Sequence, residues 1–193
     1  MSGRSAARQF RIREPTQLRS LGSPVRQEIL DALAAAGESS TADLAALLGR
    51  RPQALYYHLR ALERVGLVRR SGSRRNGKSD AVLYSVPAPR MVIEYRFGSR
   101  PFATDMARTA RSLLRLSERD FLRALRSPAA VAEGPRRNLL VSRAKARLTG
   151  EQLERVNALF TGVLERLAKS QGQREGALHA VTLVIAPIEA KDT

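Results

Sequence analysis

Cysteine and tryptophan are both absent from this 193-residue chain, and histidine occurs only at His58 and His179. Without cysteine there are no disulfides, no thiolate metal sites and no thiol nucleophile. Two distant histidines with no carboxylates at ligand spacing offer no zinc or iron site, and no cofactor is expected. Aromatic residues make up only 5% of a chain that is 43% apolar, so its cores must be built mainly from Leu, Val and Ala. Long apolar runs are missing too. The longest lies near "AVTLVIAPI", far below the roughly 20 residues that span a bilayer. The first fifteen residues, "MSGRSAARQFRIREP", lack the apolar segment of a secretory signal. These absences predict a soluble, cytoplasmic protein with no membrane partner.

Negative charge is also scarce. Thirty-four Lys and Arg face eighteen Asp and Glu, a net charge of +16. Such a balance suits a polyanionic partner, nucleic acid before an anionic membrane. An arginine-rich coding bias would give the same total, so the placement of the cations has to decide.

Residues 1–14 are basic and aperiodic and read as a flexible arm. Helical spacing then begins with Leu18, Leu21, Val25, Ile29, Leu30 and Leu33, broken at Gly22-Ser23-Pro24. This predicts a short helix over 15–21 and a longer one over 24–36, closed by Gly37. Ser40 with Asp43 starts the next helix, which stops at Gly49. Pro52 opens "PQALYYHLRALERVG", whose inward stripe is Leu55, Leu59 and Leu62. Gln53, Tyr56, Tyr57 and Arg60 then face outward. His58 lies beside the stripe and reads as structural rather than base-reading. A short helix, a glycine turn and a second helix with a polar face form a helix-turn-helix. Between Asp43 and Glu63 there is no acid, while Arg50, Arg51 and Arg60 sit there.

The following "SGSRRNGKS" fits the phosphate-loop pattern G-x-x-x-x-G-K-[ST]. That pattern needs a helix after the lysine, so that the helix N-terminus can complete the phosphate cradle. Here Val82, Tyr84 and Val86 alternate instead, and Pro87 closes the run. The segment reads as a β-hairpin tip carrying Arg70, Arg74, Arg75 and Lys78, a wing rather than a nucleotide site.

From Leu18 to Val86, "LGSPVRQEILDAL", "STADLAALLG", "YYHLRALERVGLV" and "VLYSV" follow in order. In order and spacing, the chain resembles the winged helix-turn-helix domain of ArsR-type bacterial transcriptional regulators over about a third of its length. The resemblance implies a homodimer that binds double-stranded operator DNA, usually as a repressor released by an effector. Arg51 stands where many members place a capping Ser or Thr. The Cys and His clusters of the metal-sensing members are missing. The DNA-binding set expected on this basis is Arg50, Arg51, Gln53, Tyr56, Tyr57, Arg60, Arg70, Arg74, Arg75 and Lys78.

Beyond the wing, "RMVIEYRF" alternates as a strand over 90–97. A long helix over about 102–126 then carries Met106, Ala110, Leu113, Leu114, Phe121 and Leu125, which suit packing on a partner; the resemblance implies that this helix builds the dimer, with an intramolecular core helix as the alternative. A strand at 138–147, a helix opened by the Thr149–Gln152 capping box, and a final strand "ALHAVTLVIAPI" make a small strand-helix-strand module. Its strands are expected to pair with 90–97 or with a second subunit. Glu151, Glu154 and Glu165 read as a solvated helix face, and His179 has no nearby nucleophile. Nothing in the module looks catalytic, and the chain reads as a non-enzyme.

The expected fold is α+β. It comprises the arm at 1–14, a winged helix-turn-helix domain at 15–88, and a dimerisation domain at 89–193 that would also house any small-molecule effector. The expected function is sequence-specific transcriptional regulation, with non-specific nucleic-acid coating as the alternative.

Overall fold

The computed structural model describes residues 9–76, 79–170, 172–173 and 175–188. Its helices begin where the sequence supplies a local start signal. Pro15 and Pro24 occupy first-turn positions of α1 (Pro15–Leu21) and α2 (Pro24–Ala36), where the missing N–H has no intrahelical partner to lose. In α3 (Thr41–Leu48), the Ser40 hydroxyl accepts from the Asp43 amide while the Asp43 carboxylate accepts from the Ser40 amide at 2.8 Å. That reciprocal pair satisfies two otherwise orphaned donors. Gly49 then ends α3 at φ 61°, in the left-handed region where a side chain would be strained.

The turn leads into α4 (Pro52–Arg64), whose Leu55, Leu59 and Leu62 are sealed in the core beside Ile29, Leu33, Leu44 and Leu67. This core ties α2, α3 and α4 into one unit. The hairpin β3 (Arg69–Asn76) and β4 (Ser79–Ser85) pairs antiparallel, with a register shift between Arg70 and Gly72. A two-residue strand β2 (Ser39–Ser40) joins the other side of β4, giving the order β2-β4-β3. Leu67 and Val68 lie just before β3 as buried core residues.

Two expectations for the termini of this domain change. Residues Gln9–Ile12, assigned to the arm, form β1 and pair in parallel with β5 (Arg90–Ile93). Ile12 is buried and Phe10 packs on the core, so this alternating pair anchors the strand. Residues 1–8 of the expected arm lie outside the described residues. The strand expected over 90–97 ends at Ile93, and Tyr95 and Phe97 are exposed.

The long helix α5 (Arg100–Ala124) lies against α1 and α2 with a largely polar inner face of Asp105, Thr109, Ser112 and Leu116. The Thr109 hydroxyl donates to the Leu18 carbonyl at 3.2 Å, and the Gln27 amide donates to the carbonyls of Leu21 and Thr109. Leu113, Leu114 and Leu125 of the expected dimer stripe are exposed.

After α5 comes α6 (Gly150–Lys169), opened by the expected Thr149–Gln152 capping box. The flanking segments 138–147 and 177–188 form no β-ladder among the described residues. The strands of the expected C-terminal module are thus not formed within one chain, and 90–93 pairs with β1 instead. β1 brings an alternating apolar edge to β5, and two strands of the later module alone make a poor sheet.

Candidate nucleic-acid interface

Amphipathic spacing fixes which side of α4 is available. With Leu55, Leu59 and Leu62 locked inward, Gln53, Tyr56, Tyr57 and Arg60 stand at i, i+3, i+4 and i+7 on the opposite face. All four are exposed. Tyr57 is 71% exposed, with only an edge contact from its ring to His58 at 5.4 Å between centroids. It does not fold back on the domain's own surface.

Arg51 occupies the N-cap of α4 and makes no side-chain cap hydrogen bond. In its first turn Pro52 carries no N–H and the Ala54 amide donates to the Arg51 carbonyl at 3.0 Å, while the Arg51 guanidinium has no ion pair among the described residues. A helix N-terminus with a free cation is a favourable place for an anion such as a phosphate.

The remaining cations divide by their partners. Arg50 reaches back from the turn to Glu28 of α2, with Nη2 to Oε2 at 2.7 Å. Arg70 pairs with Glu63 at 2.9 Å and Arg74 with Asp43 at 2.6 Å, linking the wing to α4 and α3 respectively. Arg51, Arg60 and Arg75 are exposed and, among the described residues, have no ion pair. Lys78 lies outside the described residues. The structure thus brings Arg51, Gln53, Tyr56, Tyr57 and Arg60 together on one helix, with Arg75 out along the hairpin. Arg50, Arg70 and Arg74 are already engaged within the chain.

The acids behind this face carry their own signature. Burial alone would raise the Asp43 carboxyl, but hydrogen bonds from Ser40 and from Arg74 outweigh it and hold it below the ordinary range. Glu28, 10% exposed at its side chain, takes Arg50 on one oxygen and Arg119 of α5 on the other, at 2.7 and 2.6 Å. One carboxylate therefore joins the helix-turn-helix turn to the long helix. Sequence reading missed this bridge because Glu28, Arg50 and Arg119 are far apart in the chain.

Asp31, one turn along α2, keeps an open side to solvent. Desolvation by the surrounding protein, then the charges of Asp120 and Glu28, push its carboxyl up to about 6. His58 is held below its usual value by desolvation and by Arg26 and Arg50, so its ring is neutral at physiological pH.

The phosphate-loop pattern falls on β3, β4 and the two residues between them, which lie outside the described residues. Ser79 begins a strand, so no helix N-terminus follows the lysine, and the cradle that gives the pattern its chemistry is not built. Among the described residues no group of three or more His, Cys, Asp or Glu side chains could hold a metal ion. No helix among them is long and apolar enough to cross a membrane.

No curated protein matches the chain. Two solved structures of Lactococcus lactis ZitR, both of a doubly substituted mutant, overlap it weakly. The apo form is 17% identical, covers 75% of this chain and 83% of its own, and has a TM-score of 0.29. The second form is 18% identical, covers 75% and 74%, and has a TM-score of 0.28. A likeness this slight carries no weight for fold or function. A helix-turn-helix domain family matches residues 21–71, the span from the end of α1 into the first wing strand, which includes α4 and its exposed face.

Proposed function

We propose that the chain is a dimeric, sequence-specific DNA-binding transcriptional regulator of the ArsR type, acting as a repressor. In this reading residues 15–88 bind DNA and residues 89–193 dimerise. The observation that carries it is the outer face of α4, which presents Gln53, Tyr56, Tyr57 and Arg60 without an intervening acid. The major groove admits one α-helix, and polar side chains on that helix distinguish the base pairs by their donor and acceptor edges.

Each residue then has a role. Gln53 bonds adenine, and Arg60 reaches guanine or a phosphate. Tyr56 and Tyr57 donate to phosphates or pack on thymine methyls. Arg51 takes a phosphate at the helix N-terminus, and Arg75 and Lys78 follow the backbone from the wing or enter the minor groove. The ion pairs of Arg50, Arg70 and Arg74 hold the turn and the wing in position. A phosphate that takes any of these three must first displace a carboxylate.

Repeated selection from a random-sequence duplex pool tests the reading. Enrichment of a short motif, repeated with twofold symmetry, is the expected result. A pool that stays random while retaining affinity would contradict it and indicate a non-specific coating protein.

A further inference from the structure

The C-terminal third leaves much of its apolar surface uncovered. α6 has no buried residue, and Leu159 on it is 70% exposed. Segment 177–188 contains no Lys, Arg, Asp or Glu, yet Leu178, Val184 and Ile188 are each more than 60% exposed. A hydrogen bond of 2.6 Å between the Ser117 and Thr182 hydroxyls links this segment to α5, whose Leu113 and Leu114 are also exposed.

Charge indicates the occupant. A chain of net charge +16 repels its own copy wherever the excess lies. Residues 148–188 hold four acids and four bases, so this stretch is neutral. Two copies can meet there without like-charge opposition, and nucleic acid gains nothing there.

Strand chemistry gives the order. A strand with no charges reads as central in a sheet, while Arg143, Lys145 and Arg147 mark 138–147 as an edge. Two strands make a poor sheet, whereas two copies supply four. We infer that residues 177–186, ending before Pro187, whose missing N–H cannot join a central ladder, pair antiparallel with the same residues of a second copy across a twofold axis. The result is a four-stranded intersubunit sheet with 138–147 at each edge and an α6 from each copy packed against it. This rests on the dimeric reading above and names the surface that makes the dimer.

The absence of cysteine makes the test clean. Ala180→Cys through Ile185→Cys, introduced one at a time into the full chain, are oxidised and resolved by non-reducing electrophoresis. Across a twofold antiparallel pair, the distance between equivalent residues grows by about 7 Å per residue from the axis, while a disulfide needs Cα atoms within about 7 Å. Crosslinking at one position, or two neighbours, is the expected pattern. In addition, Leu183→Asp combined with Ile185→Asp should weaken the dimer on the order of 100-fold by sedimentation. The helical circular dichroism of the variant should persist, because the core cluster draws on nothing beyond Met106.

A wild-type dimer that shows no selective crosslink and survives the double Asp variant would overturn the sheet while leaving the dimeric reading intact. A wild-type chain that sediments at its 21.3 kDa monomer mass at every concentration would overturn both.

Discussion

At the scale of single residues, the partners of each cation rank the basic side chains. Arg75 is exposed and unpaired, whereas Arg74 already holds Asp43 at 2.6 Å. Each neutralised phosphate contributes about one unit to the slope of log affinity against log salt. Arg75→Ala is therefore expected to reduce that slope by about one, and Arg74→Ala by less, since releasing Asp43 offsets part of the gain from a phosphate. Fluorescence anisotropy over a salt series checks both, and an equal loss from the two variants would count against the ranking. Asp31 gives a pH prediction. A carboxyl raised from 3.8 to about 6 in the folded chain contributes stability that is fully present below pH 3.8 and lost as pH rises through about 6. Asp31→Asn should then melt above wild type at pH 8, with the difference disappearing below about pH 4. The opposite trend in thermal scans would show that Asp31 is stabilised as an anion.

At the scale of elements, helix starts and core stripes were the most legible part of the sequence. The Ser40–Asp43 and Thr149–Gln152 boxes, the prolines opening α1, α2 and α4, and the Leu55/Leu59/Leu62 stripe all stand where spacing and cap chemistry place them. These signals are local, and a helix satisfies its hydrogen bonds within its own segment. Strands depend on distant partners, and there the reading was weaker. β1 was missed although Phe10 and Ile12 alternate with Gln9 and Arg11, because a four-residue alternation in a basic terminus is a faint signal. The polar inner face of α5 was missed as well. The partners of Thr109 and Asp105 are Leu18, Gln27 and Arg19, which lie far away in the chain. At the candidate interface, helix periodicity revealed the outer face of α4 but could not reveal that Glu28, Glu63 and Asp43 engage three of the cations. Two substitutions test the elements themselves. Ser40→Ala should cost about 1 kcal/mol by removing the α3 cap. Leu59→Ala should cost about 2–5 kcal/mol by opening a cavity in the core. Denaturant titration measures both, and a neutral Leu59→Ala would contradict the packing described.

At the scale of the whole molecule, the charge and the apolar surface separate along the chain. The excess of arginine lies outside residues 148–188, which are neutral and leave α6 and 177–188 uncovered. Such a molecule is suited to meeting a polyanion through its N-terminal domain and its own copy through its C-terminal third. In the proposed dimer, two helix-turn-helix units joined in this way would set the spacing of two half-sites, which is how paired units gain specificity beyond a single helix. The most direct test is the binding of the selected duplex beside a shuffled duplex of the same composition, over a salt series, for wild type and Gln53→Ala. The account predicts that wild type prefers the selected duplex by at least about 10³-fold at physiological salt, and that Gln53→Ala narrows the gap by about 1–3 kcal/mol. Equal binding of both duplexes at every salt concentration would contradict it, leaving α4 and the wing as an electrostatic grip that reads no sequence.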